Sequence, residues 1–79
     1  MKVPVIRQLV KTHSLEDLQS AENDLLEERT PSIEIGGEDE GEQLTHVIGA
    51  IEILNNIKSG MKEGEALRAF TQRVRNSIS

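Results

Sequence analysis

Between Leu44 and Ile57 the chain reads as a helix that is apolar around more than half of its circumference. In LTHVIGAIEILNNI, Leu44, Val47, Ile48 and Ile51 recur at helical spacing, and Ala50, Ile53, Leu54 and Ile57 do so on an adjoining face. At about 100° per residue the two sets together cover an arc of roughly 220°. A helix on the surface of a small monomer needs a stripe of only about 100° or somewhat more. This one has to be covered from two sides, by the rest of a 79-residue chain or by a second copy. Burying eight aliphatic side chains at about 1.5–3 kcal/mol each is a strong drive to keep the second face dry. A homodimer is therefore expected, with Ala50, Ile53, Leu54 and Ile57 as the interface.

The length makes external cover plausible on physical grounds. Seventy-nine residues form one domain, 1–79, near the lower limit for a self-sufficient core. Cysteine is absent, which excludes disulfides, thiolate metal sites and thiol chemistry. Phe70 is the one aromatic residue, so the chain lacks the stacking surface used to hold single-stranded nucleic acid. Arg7 and Lys11 interrupt the N-terminal apolar residues, so no signal-peptide core is expected there. No apolar run approaches the ~18–20 residues of a membrane span. The expectation is a cytoplasmic protein that does not enter a membrane.

Charge is segregated along the chain. From Ser14 to Glu42 eleven acidic residues face a single base, Arg29, a balance of −10; from Met61 onward the balance is +2. Phosphate contacts require clustered Lys and Arg, so nucleic acid and anionic membrane are not the expected partners. A solvated acidic face accounts for the pattern, and Glu38, Asp39 and Glu40 are its densest part, the expected surface for a basic protein partner. Arg68, Arg73 and Arg75 give the C-terminal region a basic flank suited to pairing with acids within or between chains.

Helical spacing organises the rest. Val5, Ile6, Leu9 and Val10 follow Pro4, which suits a first turn, and predict a short helix over 4–12. Ser14 with Asp17 three positions later has the form of a capping box for a helix over 15–29, striped by Leu15, Leu18, Ala21, Leu25 and Leu26. Thr30-Pro31 ends it, because the residue before proline avoids helical geometry. Ser32-Ile33-Glu34-Ile35 is either a short strand or an extended connector with two buried isoleucines. Gly36 to Gly41 reads as a flexible acidic loop, and Asp39 with Glu42 repeats the capping-box spacing before the broad helix. Gly60 is a suitable stop for that helix. Leu67, Phe70, Val74 and Ile78 then stripe a last helix, and the short link predicts an antiparallel helical hairpin.

His46 is the position closest to chemistry. It falls inside the broad apolar arc, with Glu42 one turn earlier. A Glu-x-x-x-His pair on one face offers two metal ligands, or an imidazole oriented for proton transfer. A working site needs a third ligand, and neither the HExxH pattern nor any other ligand spacing is present. A buried histidine hydrogen-bonded to Glu42 or at a helix contact is the more economical reading. His13 sits where it can cap a helix C-terminus, and its neighbour Ser14 points away from it. Glu38, Asp39, Glu40 and Glu42 lack the spacing of a calcium loop, and Gly36-Gly37 lacks the lysine of a phosphate loop. Asn55, near the apolar seam, is a residue type that sets register in helical assemblies. Neither a cofactor nor an enzymatic activity is expected.

VPVIRQLVKTHSLEDLQSAENDLLEE, GEDEGEQLTHVIGAIEIL and EALRAFTQRVRNSI together resemble a small uncharacterised bacterial protein family of this same length. The resemblance covers nearly the whole chain, and GEDEGEQLTH is its most distinctive stretch. It carries no catalytic residues over. It implies genes lying near those of thioredoxin-like or peroxiredoxin proteins, and so an accessory role in thiol redox. Without cysteine, the chain would serve a thiol-redox protein only by binding it.

The sequence thus predicts an all-α fold of four helices, the first short, with an extended 30–38 connector and a C-terminal hairpin packed in a homodimer. The expected function is a non-enzymatic interaction or regulatory module. The alternative is a small metal-binding module or enzyme centred on His46 and Glu42.

Overall fold

The computed structural model describes the backbone of residues 2–78 and the side chains of residues 2–76. Four helices follow one another: α1 (Val3–Thr12), α2 (Leu15–Leu26), α3 (Glu40–Lys58) and α4 (Glu63–Ile78). No strand occurs among the described residues, so the stretch between α2 and α3 is a connector rather than a strand. The fold is all-α.

α3 is the organising element. The molecule measures 32 × 28 × 18 Å, so a helix of 19 residues, about 28 Å long, runs nearly its full length. α1, α2 and α4 all pack on it. Part of its surplus apolar surface is covered in this way, within one chain. Ala50 is fully buried and Ile53 is 1% exposed, while Leu54 and Ile57 are partly buried against the same core. Of the expected oligomer interface, Ala50 and Ile53 are covered by the chain's own helices, while Leu54 and Ile57 keep part of their surface open. The apolar residue of α3 left most exposed is instead Ile48, at 45%. Ile6, Leu9, Leu18, Ala21, Leu25, Val47, Ala66 and Phe70 complete the core from all four helices. Ile35, on the connector, is buried with them, and Ile33 packs alongside.

The helix ends follow local chemistry. Ser14 and Asp17 form the expected capping box: the Ser14 Oγ accepts the Asp17 N–H at 3.2 Å, and Asp17 reaches back to the Ser14 N–H. The end of α2 departs from expectation. It stops at Leu26, not near residue 29, because the Glu28 N–H turns to the Leu25 carbonyl and the Arg29 N–H to the Asp24 carbonyl. That is a Schellman motif, and it holds Glu28 in the left-handed region at φ 59°. Ending early leaves Leu26 outside the core at 61% exposure. α3 closes with the same pair of bonds, and there Gly60 supplies the left-handed residue at φ 118°. Since glutamate is strained where glycine is not, Glu28→Gly is expected to stabilise the protein by about 0.5–1 kcal/mol. An upward shift of the urea midpoint would show it, and an unchanged or lower midpoint would contradict the strain argument.

α4 lies against α3 through Ala66 and Phe70, with Leu67 and Val74 at the margins. The Ile78 side chain, the last position of the expected stripe, lies outside the described residues. Arg73 pairs with Glu52 of α3 through Nε at 2.9 Å and through its second nitrogen. The basic flank of α4 therefore meets an acid of the neighbouring helix, at an exposed position where solvent screens the pair. Asn55 is exposed.

Candidate functional site

His46 is buried completely, the one polar or charged side chain so enclosed among the described residues. The sequence pairs it with Glu42, but the structure gives it two main-chain partners instead. Its Nε2 accepts the Lys2 N–H at 2.8 Å, and its Nδ1 lies 2.7 Å from the Gly36 carbonyl oxygen. A peptide N–H can only donate and a carbonyl can only accept. The ring is therefore the neutral tautomer with its proton on Nδ1. One imidazole thus joins the N-cap of α1, the connector and the middle of the first half of α3. Lys2 and Gly36 are themselves exposed and the two bonds are partly buried, so the ring ties these two segments to α3 at the edge of the core.

This arrangement bears on the metal reading. Both ring nitrogens are committed, so a metal at Nε2 would have to displace the Lys2 N–H. Among the described residues no three His, Asp or Glu side chains stand together in a geometry that could hold a metal ion.

Glu42 works at the start of α3. Asp39 is the N-cap and its Oδ1 accepts the Glu42 N–H at 2.7 Å. The Glu42 carboxylate reaches back one residue beyond the usual capping box and accepts the Glu38 N–H at 2.9 Å. That hydrogen bond is the main reason its carboxyl is held below the ordinary value of 4.5; burial opposes the shift and the Lys2 charge adds to it. With a lowered folded value, Glu42 contributes stability that is present above about pH 4.5 and is lost as the pH falls through the folded value. Glu42→Gln is expected to lose less stability than the parent between neutral pH and pH 3, read from urea midpoints at both, because its amide does not titrate. Equal losses would remove the assignment.

Glu38, Asp39 and Glu40 are all exposed, on a loop fixed by these caps. The expected partner surface is thus a set of acids at the N-terminus of α3.

A second feature was not legible in the sequence. Between α1 and the connector lies an open cleft of about 450 Å³. Val5 and Leu9 supply apolar surface, and Gln8, His13 and Glu34 supply polar groups. His13 is the C-cap residue of α1 through its main-chain N–H, bonded to the Leu9 carbonyl at 3.0 Å, a bond made by the backbone and not by the imidazole.

Gly49 is the other residue that sequence reasoning missed. A Cβ there would stand 2.8 Å from Cζ of Phe70 and 3.1 Å from Cδ1 of Ile6. The glycine lets α1 and α4 approach α3 at the level of the core, one turn from the buried histidine.

No described helix is long and apolar enough to cross a membrane. The model of DUF6952, a family of unknown function, matches residues 1–79. No curated protein and no solved structure matches the chain.

Proposed function

Since the chain belongs to DUF6952, a family of unknown function, we propose from its own geometry that it is a non-enzymatic interaction module that meets a basic protein partner. The observation that carries this reading is the exposed run Glu38-Asp39-Glu40, held at the rigid start of α3 by the Asp39 and Glu42 caps. Fixed acids on a helix end steer and orient a basic surface better than acids on a free loop. The enclosed histidine supports the non-enzymatic side of the reading, because both of its nitrogens hold main chain rather than face a cleft. A thiol-redox protein is the partner that the family resemblance implies, and this chain would act on it by binding alone.

Asp39 caps α3, so a clean test leaves its acceptor in place. Glu38→Lys and Glu40→Lys combined with Asp39→Asn remove the acidic run while keeping the cap. Capture of a partner from the source cells, with the captured protein identified, is expected to weaken with added salt and to fail with the triple variant. Capture indifferent to both would show that the acids are only a solvated face.

Self-association belongs to the same proposal, moved to the face that is still open. Ile48 is exposed between the partly buried Leu44 and Ile51 on α3. Light scattering is expected to give twice the 8.8 kDa chain mass, and Ile48→Lys to return it to the single-chain value. A monomer at all concentrations would remove this part.

A further inference from the structure

The outward face of α3 has the form of a helix-pairing seam. Leu44, Ile48, Ile51 and Asn55 follow one another at alternating steps of four and three residues, the spacing of a coiled-coil stripe. On a helical wheel this strip lies opposite His46, Ala50 and Ile53, which face the core. Ile48 is 45% exposed and Asn55 is exposed, while Leu44 and Ile51 are covered only in part. The chain's own helices thus leave the strip open along its middle.

Charge identifies the cover. Glu40 and Lys58 are the first and last residues of α3, about five whole turns apart, so they stand on the same edge of the strip. Both are exposed, and among the described residues neither side chain makes an ion pair. The helix therefore carries an acidic end and a basic end beside its open apolar strip. A second copy laid antiparallel about a two-fold axis complements all three, because such an interface presents the same patch from both sides. Turning α3 end over end about the level of Gly49 brings Ile48 opposite Ile51, Leu44 opposite Asn55 and Glu40 opposite Lys58, since each pair is centred within one residue of that level. A parallel pair would set Asn55 beside Asn55, a contact that coiled coils use, but also Glu40 beside Glu40 and Lys58 beside Lys58. Opposed helix dipoles favour the antiparallel arrangement as well. We propose that α3 pairs with α3 of a second copy in an antiparallel two-fold contact, with Ile48 and Ile51 at its centre and a Glu40–Lys58 ion pair at each end. The proposal rests on the self-association part of the reading above and gives it a geometry; Glu38 and Asp39, which precede the helix, take no part in it.

Light scattering of the full chain over a dilution series measures the pairing, and charge reversal reads its direction. Glu40→Lys or Lys58→Glu alone is expected to weaken association about tenfold at low salt, since symmetry turns both attractive contacts into repulsive ones. The two substitutions together are expected to restore association, because the ion pairs re-form with their charges exchanged. Both reversals also set charge against the α3 dipole, so a second readout is needed that does not depend on helix stability. The chain has no cysteine, and single thiols therefore report contacts cleanly. With a short bismaleimide, Glu40→Cys mixed with Lys58→Cys is expected to give a cross-linked pair containing one chain of each, and neither variant alone to cross-link. Cross-linking of Glu40→Cys to itself, or a dimer whose mass ignores both reversals, would overturn the antiparallel contact while leaving self-association intact. A monomer at all concentrations would remove both.

Discussion

Replacing His46 with alanine is expected to lower stability by about 3–5 kcal/mol, the largest effect of any single polar substitution in this protein. The substitution strands the Lys2 N–H and the Gly36 carbonyl where the ring had bonded both. Those two bonds are partly buried, so their loss falls toward the lower end of the about 1–3 kcal/mol that an unsatisfied group costs, and the missing ring of a fully buried residue leaves a cavity that adds the larger share. A chain of 79 residues has roughly 4–12 kcal/mol of stability in all, so the variant keeps little of it. Three further variants separate the causes. His46→Phe refills the volume and loses both bonds. His46→Asn places a donor near the position of Nδ1, and His46→Gln places an acceptor near that of Nε2, so each restores one bond. All three are expected to fall between alanine and the parent in urea unfolding. Imidazole nitrogen shifts are expected to report the Nδ1–H tautomer. Alanine as stable as histidine, or the opposite tautomer, would show that the ring does not hold these segments together.

How much of this was open to sequence reading depends on how local each cause is. Ser14 and Asp39 announce their helices because a cap and its target lie three residues apart. The α1 and α4 stripes are legible because one-sided burial repeats with the helical turn. The end of α2 is hidden, since the Schellman motif places a glutamate where glycine is the usual signal. The breadth of the apolar arc on α3 shows that Ala50 and Ile53 must be covered, but a helical wheel does not identify the cover. Three helices of the same chain supply it. His46 is legible as buried for the same reason. Its partners are not, because the Lys2 N–H and the Gly36 carbonyl are main-chain groups, and any residue type at those positions would carry them. The cleft depends on how the connector lies against α1, which no local pattern encodes.

Gly49 and Phe70 illustrate the same limit, and they give the second large prediction. Phe70 is the one aromatic residue and is 3% exposed, with the Arg73 guanidinium 5.9 Å from its ring centre on the outer side. Phe70→Ala is expected to cost about 3–5 kcal/mol, a change that leaves a small protein at the edge of folding. Phe70→Leu keeps more of the core and is the better background for a second question. In the middle of a helix, glycine is worse than alanine by about 0.8–1.0 kcal/mol, so Gly49→Ala would stabilise an isolated α3. In the folded protein the new methyl meets the rim of the Phe70 ring at 2.8 Å and the tip of Ile6 at 3.1 Å. The Ile6 tip can turn aside. The ring cannot bend, so α4 must move, and overpacking of that kind costs about 1–3 kcal/mol. Gly49→Ala is therefore expected to destabilise the parent by about 1 kcal/mol but to be neutral or stabilising in the Phe70→Leu background. A double-mutant cycle in urea measures the coupling directly, and about 1–2 kcal/mol is expected for residues in contact. Additive effects would mean that the ring is free to yield. A coupling of the expected sign would mean that glycine stands at position 49 because an aromatic edge occupies the space of its side chain.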